Sequence, residues 1–136
     1  MYGKNDGIEV DMPVISESGL VGRILSVSDK TSKVQTIIDT TSTVSASIST
    51  AQDSILLRGT LSENKKVRAT SIPIETSILQ GDEVVTSGLG GIYPKGILIG
   101  TISEVINTKN ELDRYANVST ATDFTKLETV LVITNQ

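Results

Sequence analysis

The stretch Val44-Ser45-Ala46-Ser47-Ile48-Ser49 alternates apolar and polar side chains without a break. Successive side chains of a β-strand point to opposite faces, so this alternation predicts a strand with one face on a core and the other in water. Val34, Thr36 and Ile38 repeat the same period just before it and predict a neighbouring strand. Short β-branched runs of this kind recur along the chain and indicate an all-β protein.

The region after this strand has the pattern of a β-hairpin. Residues 55–61 and 67–72 form two apolar-rich runs that flank the polar residues 62–66, a turn of hairpin length. Pro73 ends the second run, because proline has no N–H to give to a sheet. Further strands are predicted at residues 84–85, 97–106, 115–120 and 130–133.

Two strands carry a specific prediction about burial. Val21, Leu25 and Val27 are expected to line one face of an early strand. Residues 130–133 are apolar on both faces, which is typical of a strand covered on both sides.

Composition limits the functions that this chain can have. Its 136 residues have a net charge of −4, which argues against a nucleic-acid surface, since such a surface needs clustered Lys and Arg. The chain has no cysteine, so disulfides and thiolate chemistry are excluded. It has no apolar run near the roughly 20 residues of a membrane-spanning helix. The composition is that of a folded domain without a nucleic-acid surface.

The two halves of the sequence resemble each other. Residues 19–27 and residues 96–105 each place a glycine inside a strand that continues as an apolar alternation. A glycine in a strand permits the bulge or coiling that closes a small sheet on itself. We therefore predict two small tandem β-barrels, at residues 14–75 and 76–136, after a lead-in at residues 1–13. Strand exchange between the barrels is left open.

Residues 81–96, GDEVVTSGLGGIYPKG, form the most distinctive motif of the chain. Together with Met12-Pro13, Gly19-Leu20-Val21-Gly22-Arg23 and Asp123-Phe124, in that order, this motif resembles the rod shape-determining protein MreC family. The resemblance extends from about residue 4 to residue 133. It implies two β-barrels similar to those of chymotrypsin-like proteases, without a catalytic triad.

The resemblance also implies a function, partners and a location. Members of this family are non-enzymatic scaffolds of the cell-elongation machinery, which control cell shape by organising peptidoglycan synthesis proteins. The expected partners are a penicillin-binding transpeptidase, MreD, other elongation-complex proteins and further copies of the chain. The expected location is the extracytoplasmic side of the cell membrane, with a single-pass anchor and a coiled coil that lie outside these residues.

A degenerate serine hydrolase of protease-like fold is the alternative function. A serine nucleophile needs a base near neutral pH, and histidine usually fills that role, but the chain contains no histidine. A Ser-Lys pair remains formally open, and no motif singles one out. We therefore predict no catalytic residues.

Metal ligands are equally sparse in the sequence. Without His or Cys, only carboxylate sites could exist, and Asp39, Asp53 and Asp82 each occur singly beside turn residues. Such aspartates are expected to accept backbone N–H bonds in turns. We predict no metal and no cofactor.

The candidate site is the glycine-rich loop at residues 87–96. Gly88, Gly90, Gly91 and Gly96, with Pro94, predict a tight turn with positive φ. Three apolar residues of the loop, Leu89, Ile92 and Tyr93, either fold back onto a barrel or form a contact patch. As a hypothesis, these three residues belong to a protein-binding surface, because tyrosine beside aliphatic residues is typical of interface anchors. Arg23 and Arg58, in otherwise apolar strands, either belong to a contact surface or lie on an exposed face or rim, and the exposed face or rim is the preferred interpretation.

Overall fold

The computed structural model describes residues 2–49, 53–60, 66–73, 76–107, 114–127 and 129–134. A short 3-10 helix, Lys4–Asp6, precedes the strands. The strands in the described part of the chain are β1 (Pro13–Ile15), β2 (Leu20–Val27), β3 (Ser32–Thr36), β4 (Thr43–Ile48), β5 (Ser54–Gly59), β6 (Lys66–Thr70), β7 (Glu83–Thr86), β8 (Leu98–Ile106), β9 (Tyr115–Thr120) and β10 (Leu131–Val132). The predicted all-β class is confirmed.

These strands form two sheets. The first is four-stranded, in the order β10-β1-β2-β3, and the second is a closed barrel in the order β4-β5-β6-β9-β8-β7. All the pairings are antiparallel. Among the described residues, the fold therefore contains one closed six-stranded barrel and one open four-stranded sheet, where two small tandem β-barrels were predicted.

The internal resemblance of the sequence corresponds to a structural repeat. In β1–β2, Val14 lies opposite Gly22 and a register shift follows; in β7–β8, Val84 lies opposite Gly100 and a shift follows at the same place. The β2–β3 and β8–β9 pairs also share their register shift, after Ile24 and Ile102 respectively. Units β1–β3 and β7–β9 are therefore two copies of one arrangement.

The strand that follows each copy in the chain pairs with the other copy. Strand β4 follows β3 in the chain but pairs with β7, placing Ile48 opposite Val84. Strand β10 follows β9 but pairs with β1, placing Val132 opposite Val14. Each copy thus completes the sheet of the other.

The hairpin β5–β6 accounts for the difference between the two sheets. Strand β5 pairs with β4 and β6 pairs with β9, so the hairpin bridges the two edges of the second copy and closes the barrel. The sheets consequently do not follow the predicted division at residues 75 and 76, because the barrel takes strands from both sides of it. The physical reason is the exchange of β4, which carries the hairpin with it.

The two sheets share a continuous core region. The larger cluster fills the barrel with aliphatic side chains from β4 to β9, and it also includes Leu20 of β2 and Ile37, which follows β3. The smaller cluster under the first sheet contains Ile8, Val14, Val21 and Ile24. Phe124 packs against both clusters. Phe124 therefore links the core of the barrel to the core of the first sheet.

Two predictions about burial are wrong. Leu25 is exposed, because the register shift between Ile24 and Ser26 turns it away from the face that Val21 occupies. Strand β10 is not covered on both sides: it is an edge strand, and the side chain of Leu131 is 63% exposed.

Candidate interaction surface

Thr86 anchors the glycine-rich loop at residues 87–96. This residue ends β7 and is fully buried. Its hydroxyl donates to the carbonyl of Pro94 at 2.5 Å and accepts from the N–H of Ile97 at 2.9 Å. Its own carbonyl accepts from the N–H of Gly96 at 2.9 Å. Thr86, which directly precedes the loop, therefore holds the end of the loop close to its start.

The glycines of the loop adopt a conformation that other residues rarely reach. The φ angles of Gly88, Gly90, Gly91 and Gly96 lie between 76° and 94°. L-residues with a Cβ are strained at such angles. Within this turn, Ser87 Oγ accepts from the N–H of Leu89 at 3.2 Å.

The three apolar residues of the loop have different surroundings. Tyr93 is only 7% exposed and belongs to the barrel core, and Ile92 is partly buried against that core. Leu89 points outward and is 58% exposed. The two alternatives from the sequence therefore apply to different residues: Ile92 and Tyr93 fold back onto the barrel, and Leu89 stands out.

Tyr93 lies close to an ion pair of the first unit. Arg23 of β2 forms this ion pair with Asp11, which precedes β1. Burial raises the pKa of Tyr93 to about 12, while the charge of Arg23 lowers this pKa and the charge of Asp11 raises it. Charges of the first unit therefore act on Tyr93, and Arg23 has a specific partner in Asp11.

Leu89 borders a shallow groove on the barrel, which we call the loop groove. Its volume is about 220 Å³. The residues that line it come from β4, β5, β7 and the loop, namely Ser47, Ile48, Ser49, Ser54, Val85, Ser87, Leu89, Lys95 and Gly96. An exposed leucine and a lysine beside small serines leave room for a side chain of a partner to enter. This combination suits protein contact better than it suits a small polar substrate.

The aspartates singled out by the sequence have structural partners. Asp39 Oδ1 accepts from the N–H of Thr41 at 2.8 Å and from its hydroxyl at 2.7 Å, and these bonds lower the pKa of Asp39. Asp82 Oδ2 accepts from the N–H of Leu79 at 2.9 Å, and Asp53 Oδ2 from the Thr76 hydroxyl at 2.7 Å. Across the described ranges, no group of three or more His, Cys, Asp and Glu is arranged to hold a metal.

Arginines outside the loop also have defined positions. Arg58 on β5 is exposed, and Arg68 on β6 places its guanidinium 4.4 Å from the ring centre of Tyr115 on β9. The side chain of Arg114 donates to the carbonyls of Pro73 and Thr76, both at 2.6 Å. These contacts support the barrel surface.

Thr86 is the residue of the site that sequence reasoning missed. A threonine at the end of a strand is ordinary in sequence, and nothing nearby shows that its hydroxyl meets both Pro94 and Ile97. The available signal was its position just before a glycine-rich loop, where backbone groups need partners.

For the part of the chain with described positions, no helix is both long and apolar enough to cross a membrane.

Comparisons with known proteins agree with this geometry. The family model described as "Rod shape-determining protein MreC, barrel core" matches residues 2–134. The cell shape-determining protein MreC of Listeria monocytogenes is 34% identical over 96% of this chain, which spans 45% of that relative's length. The chain therefore spans about half the length of such relatives.

Solved structures show the same fold. The crystal structure of MreC from Pseudomonas aeruginosa has a TM-score of 0.90 and 26% identity, covering 97% of this chain and 84% of that one. A chain from the complex between penicillin-binding protein PBP2 and MreC of Helicobacter pylori has a TM-score of 0.72 and 20% identity, covering 89% and 75%. At 20% identity the likeness shows the fold alone. From the matched residues and the shared fold, the chain belongs to the rod shape-determining protein MreC family, as its barrel core.

Proposed function

We propose that this chain is a non-enzymatic scaffold of the bacterial cell-elongation machinery, which binds a penicillin-binding transpeptidase through the surface of its barrel. The match of residues 2–134 to the MreC barrel core is the observation that carries the proposal. Relatives of the chain are named cell shape-determining proteins. A neighbour of the same fold is a complex of MreC with PBP2, which supports the class of partner.

The loop groove is the contact surface that the geometry favours. Leu89 stands on a loop whose exit is held by Thr86, and its exposed side chain borders the loop groove. Ile92 and Tyr93 take part by holding the loop to the core. An exposed apolar residue beside an open groove is a candidate for the few anchors that carry much of an interface's binding energy.

Location and further partners extend the proposal. The chain would act outside the cytoplasmic membrane, held by a single-pass anchor that precedes these residues in the whole protein. MreD and additional copies of the chain would complete the assembly. Sedimentation of the chain over a range of concentrations tests self-association, and a strict monomer at high concentration would count against it.

A pair of leucine variants tests the contact surface. Leu89→Asp should weaken binding to the transpeptidase at least about tenfold, because a charge would replace an interface anchor. Leu79→Asp is the matched control, since Leu79 is 65% exposed and does not line the loop groove. Biolayer interferometry with the soluble region of the transpeptidase from the same organism measures both. Equal affinity of the two variants would remove the loop groove from the proposal.

A further inference from the structure

The first sheet lacks the element that closes the barrel. In the second copy of the repeat, β5 adds to β4 and β6 adds to β9. The corresponding strands of the first copy are β10 and β3, and they form the two ends of its sheet in the part of the chain that the structure describes. The barrel therefore provides an internal template for what the open sheet can accept.

The backbone of β10 is oriented to accept another strand. The N–H of Ile133 donates to the carbonyl of Pro13 at 2.9 Å, so the backbone groups of Ile133 face β1. Backbone groups alternate in direction along an antiparallel strand, and those of Val130 and Val132 consequently face the free edge. Val132 lies opposite Val14 as Ile48 lies opposite Val84, so Val130 corresponds to Ala46. In the barrel, Ala46 lies opposite Ile55 of β5.

The side chains of β10 are those of a covered strand. Residues 130–133 are all apolar, yet Leu131 is 63% exposed and Val130 is 39% exposed. Proteins normally protect an exposed strand edge with charges, and apolar edges invite pairing. Strand β3, at the other end of the sheet, has this protection, because it carries the exposed Lys33 among polar residues. The two edges therefore differ, and β10 is the one without protection.

The core beneath the first sheet is incompletely covered. Four of its residues are buried, while five more are only partly buried: Met12, Val27, Phe124, Leu127 and Val132. A groove of about 510 Å³ reaches β10 through Thr129 and Leu131 and continues past Leu127 and Ser16. The loop groove holds the corresponding place on the barrel, where Ser54 of β5 forms part of the wall and the volume is about 220 Å³. Among the described residues, no strand equivalent to β5 lines the larger groove.

We propose that the edge of β10 binds an extended segment of a partner protein, which adds antiparallel to β10 as β5 adds to β4. The segment has apolar residues at alternate positions, as in β5, where Ile55 and Leu57 point into the core and Leu56 points out. Main-chain hydrogen bonds to Val130 and Val132 give affinity, and burial over the incompletely covered core selects the alternation. This inference goes beyond the transpeptidase contact at the loop groove.

A peptide with the sequence of residues 53–60 is the probe, because it contains the strand that occupies the equivalent edge of the barrel. Hydrogen exchange followed by NMR on the labelled chain gives a residue-level result. We expect saturating peptide to slow exchange of the Val130 and Val132 amides at least about tenfold, and to leave the Val34 amide of β3 unchanged. A peptide of the same composition, with its apolar residues placed together, should have no effect.

Two variants locate the binding edge. Val130→Pro removes an N–H that faces the free edge and should weaken peptide binding about tenfold. Leu131→Lys, which alters the edge without changing the backbone, should weaken binding to a similar extent. Leu79→Lys is its matched control, with 65% exposure away from this edge, and should bind the peptide as the parent chain does. Circular dichroism and thermal unfolding confirm that each variant is folded.

Several outcomes would overturn the inference. Slow exchange of Val130 and Val132 in the free monomer would mean that the chain itself covers the edge. A concentration-dependent dimer that Leu131→Lys abolishes would make a second copy the occupant. Peptide binding that survives both edge variants, or that protects Val34, would exclude this edge. No peptide protection at Val130 and Val132 would end the proposal, while the transpeptidase measurement at Leu89 would stand unaffected.

Discussion

Gly22 and Gly100 occupy the same position in the two copies of the structural repeat. A Cβ added to Gly22 would collide with the backbone carbonyl of Gln35, and one added to Gly100 would collide with that of Ser119. Each glycine thus lets two strands approach closely where its sheet coils, immediately before a register shift. The coiling of both units therefore depends on the absence of a Cβ atom at these two positions.

Alanine at either glycine should therefore destabilise the fold. Because the colliding atom belongs to the backbone, Gly22→Ala and Gly100→Ala should each lower the free energy of unfolding by about 1 to 3 kcal/mol. Thr101→Ala, at an exposed position of the same strand as Gly100, should change it by less than about 1 kcal/mol. Urea denaturation measures all three. A Gly100→Ala protein as stable as Thr101→Ala would show that the close approach is unimportant.

Removal of the Thr86 hydroxyl should lower the stability of the fold. Thr86→Val keeps the shape but leaves the Ile97 N–H and the Pro94 carbonyl without this partner, so it should cost about 1 to 3 kcal/mol. Thr101→Val removes an exposed hydroxyl and is the control. Chemical denaturation gives the stability, and hydrogen exchange should show a faster-exchanging loop only in Thr86→Val. Unchanged stability and exchange would contradict the role of Thr86 as the anchor.

Adjacent leucines of β5 provide a test of the barrel core. Leu57 is buried and Leu56 is partly exposed on the opposite face. Leu57→Ala should lower the free energy of unfolding by about 2 to 5 kcal/mol, because it leaves a cavity. Leu56→Ala should cost distinctly less, since water can occupy the vacated space. Similar losses in the free energy of unfolding for the two variants would contradict the assignment of Leu57 to the core face of β5.

Tyr93 predicts a stability change at alkaline pH. Its pKa of about 12 exceeds the ordinary value of 10.0, so the folded state retains a proton that the unfolded state loses. The stabilisation is fully present below pH 10 and falls as the pH rises towards 12. Denaturation at pH 9 and pH 11 should show a loss that is smaller in Tyr93→Phe. The same loss in both proteins would mean that Tyr93 does not titrate in this way.

Local patterns in the sequence predict the strands that depend only on alternation. The alternating run at residues 44–49 became β4, residues 115–120 became β9, and the hairpin β5–β6 lies where its two apolar runs predicted. Of the turn predicted at residues 62–66, residues 62–65 lie outside the described residues and residue 66 begins β6. Period and turn length suffice for such elements because neighbouring residues determine them.

Those local patterns could not predict which strands pair across long stretches of sequence. The exchange of β4 and β10 depends on which sheet each strand joins, and the alternation within a strand does not indicate its partner strand. Leu25 was misplaced because a single extra residue in β2 reverses the side-chain direction after it. For the loop, the sequence indicated a glycine turn but could not say that Tyr93 is buried while Leu89 is exposed.

Direct binding to the transpeptidase tests the central claim most closely. The purified chain should bind the soluble region of the penicillin-binding transpeptidase from its own organism in analytical ultracentrifugation, forming a complex that Leu89→Asp weakens and Leu79→Asp does not. The chain alone should show no labelling by a serine-reactive fluorophosphonate probe. Absence of any complex at the highest attainable concentrations, with both proteins folded, would contradict the account.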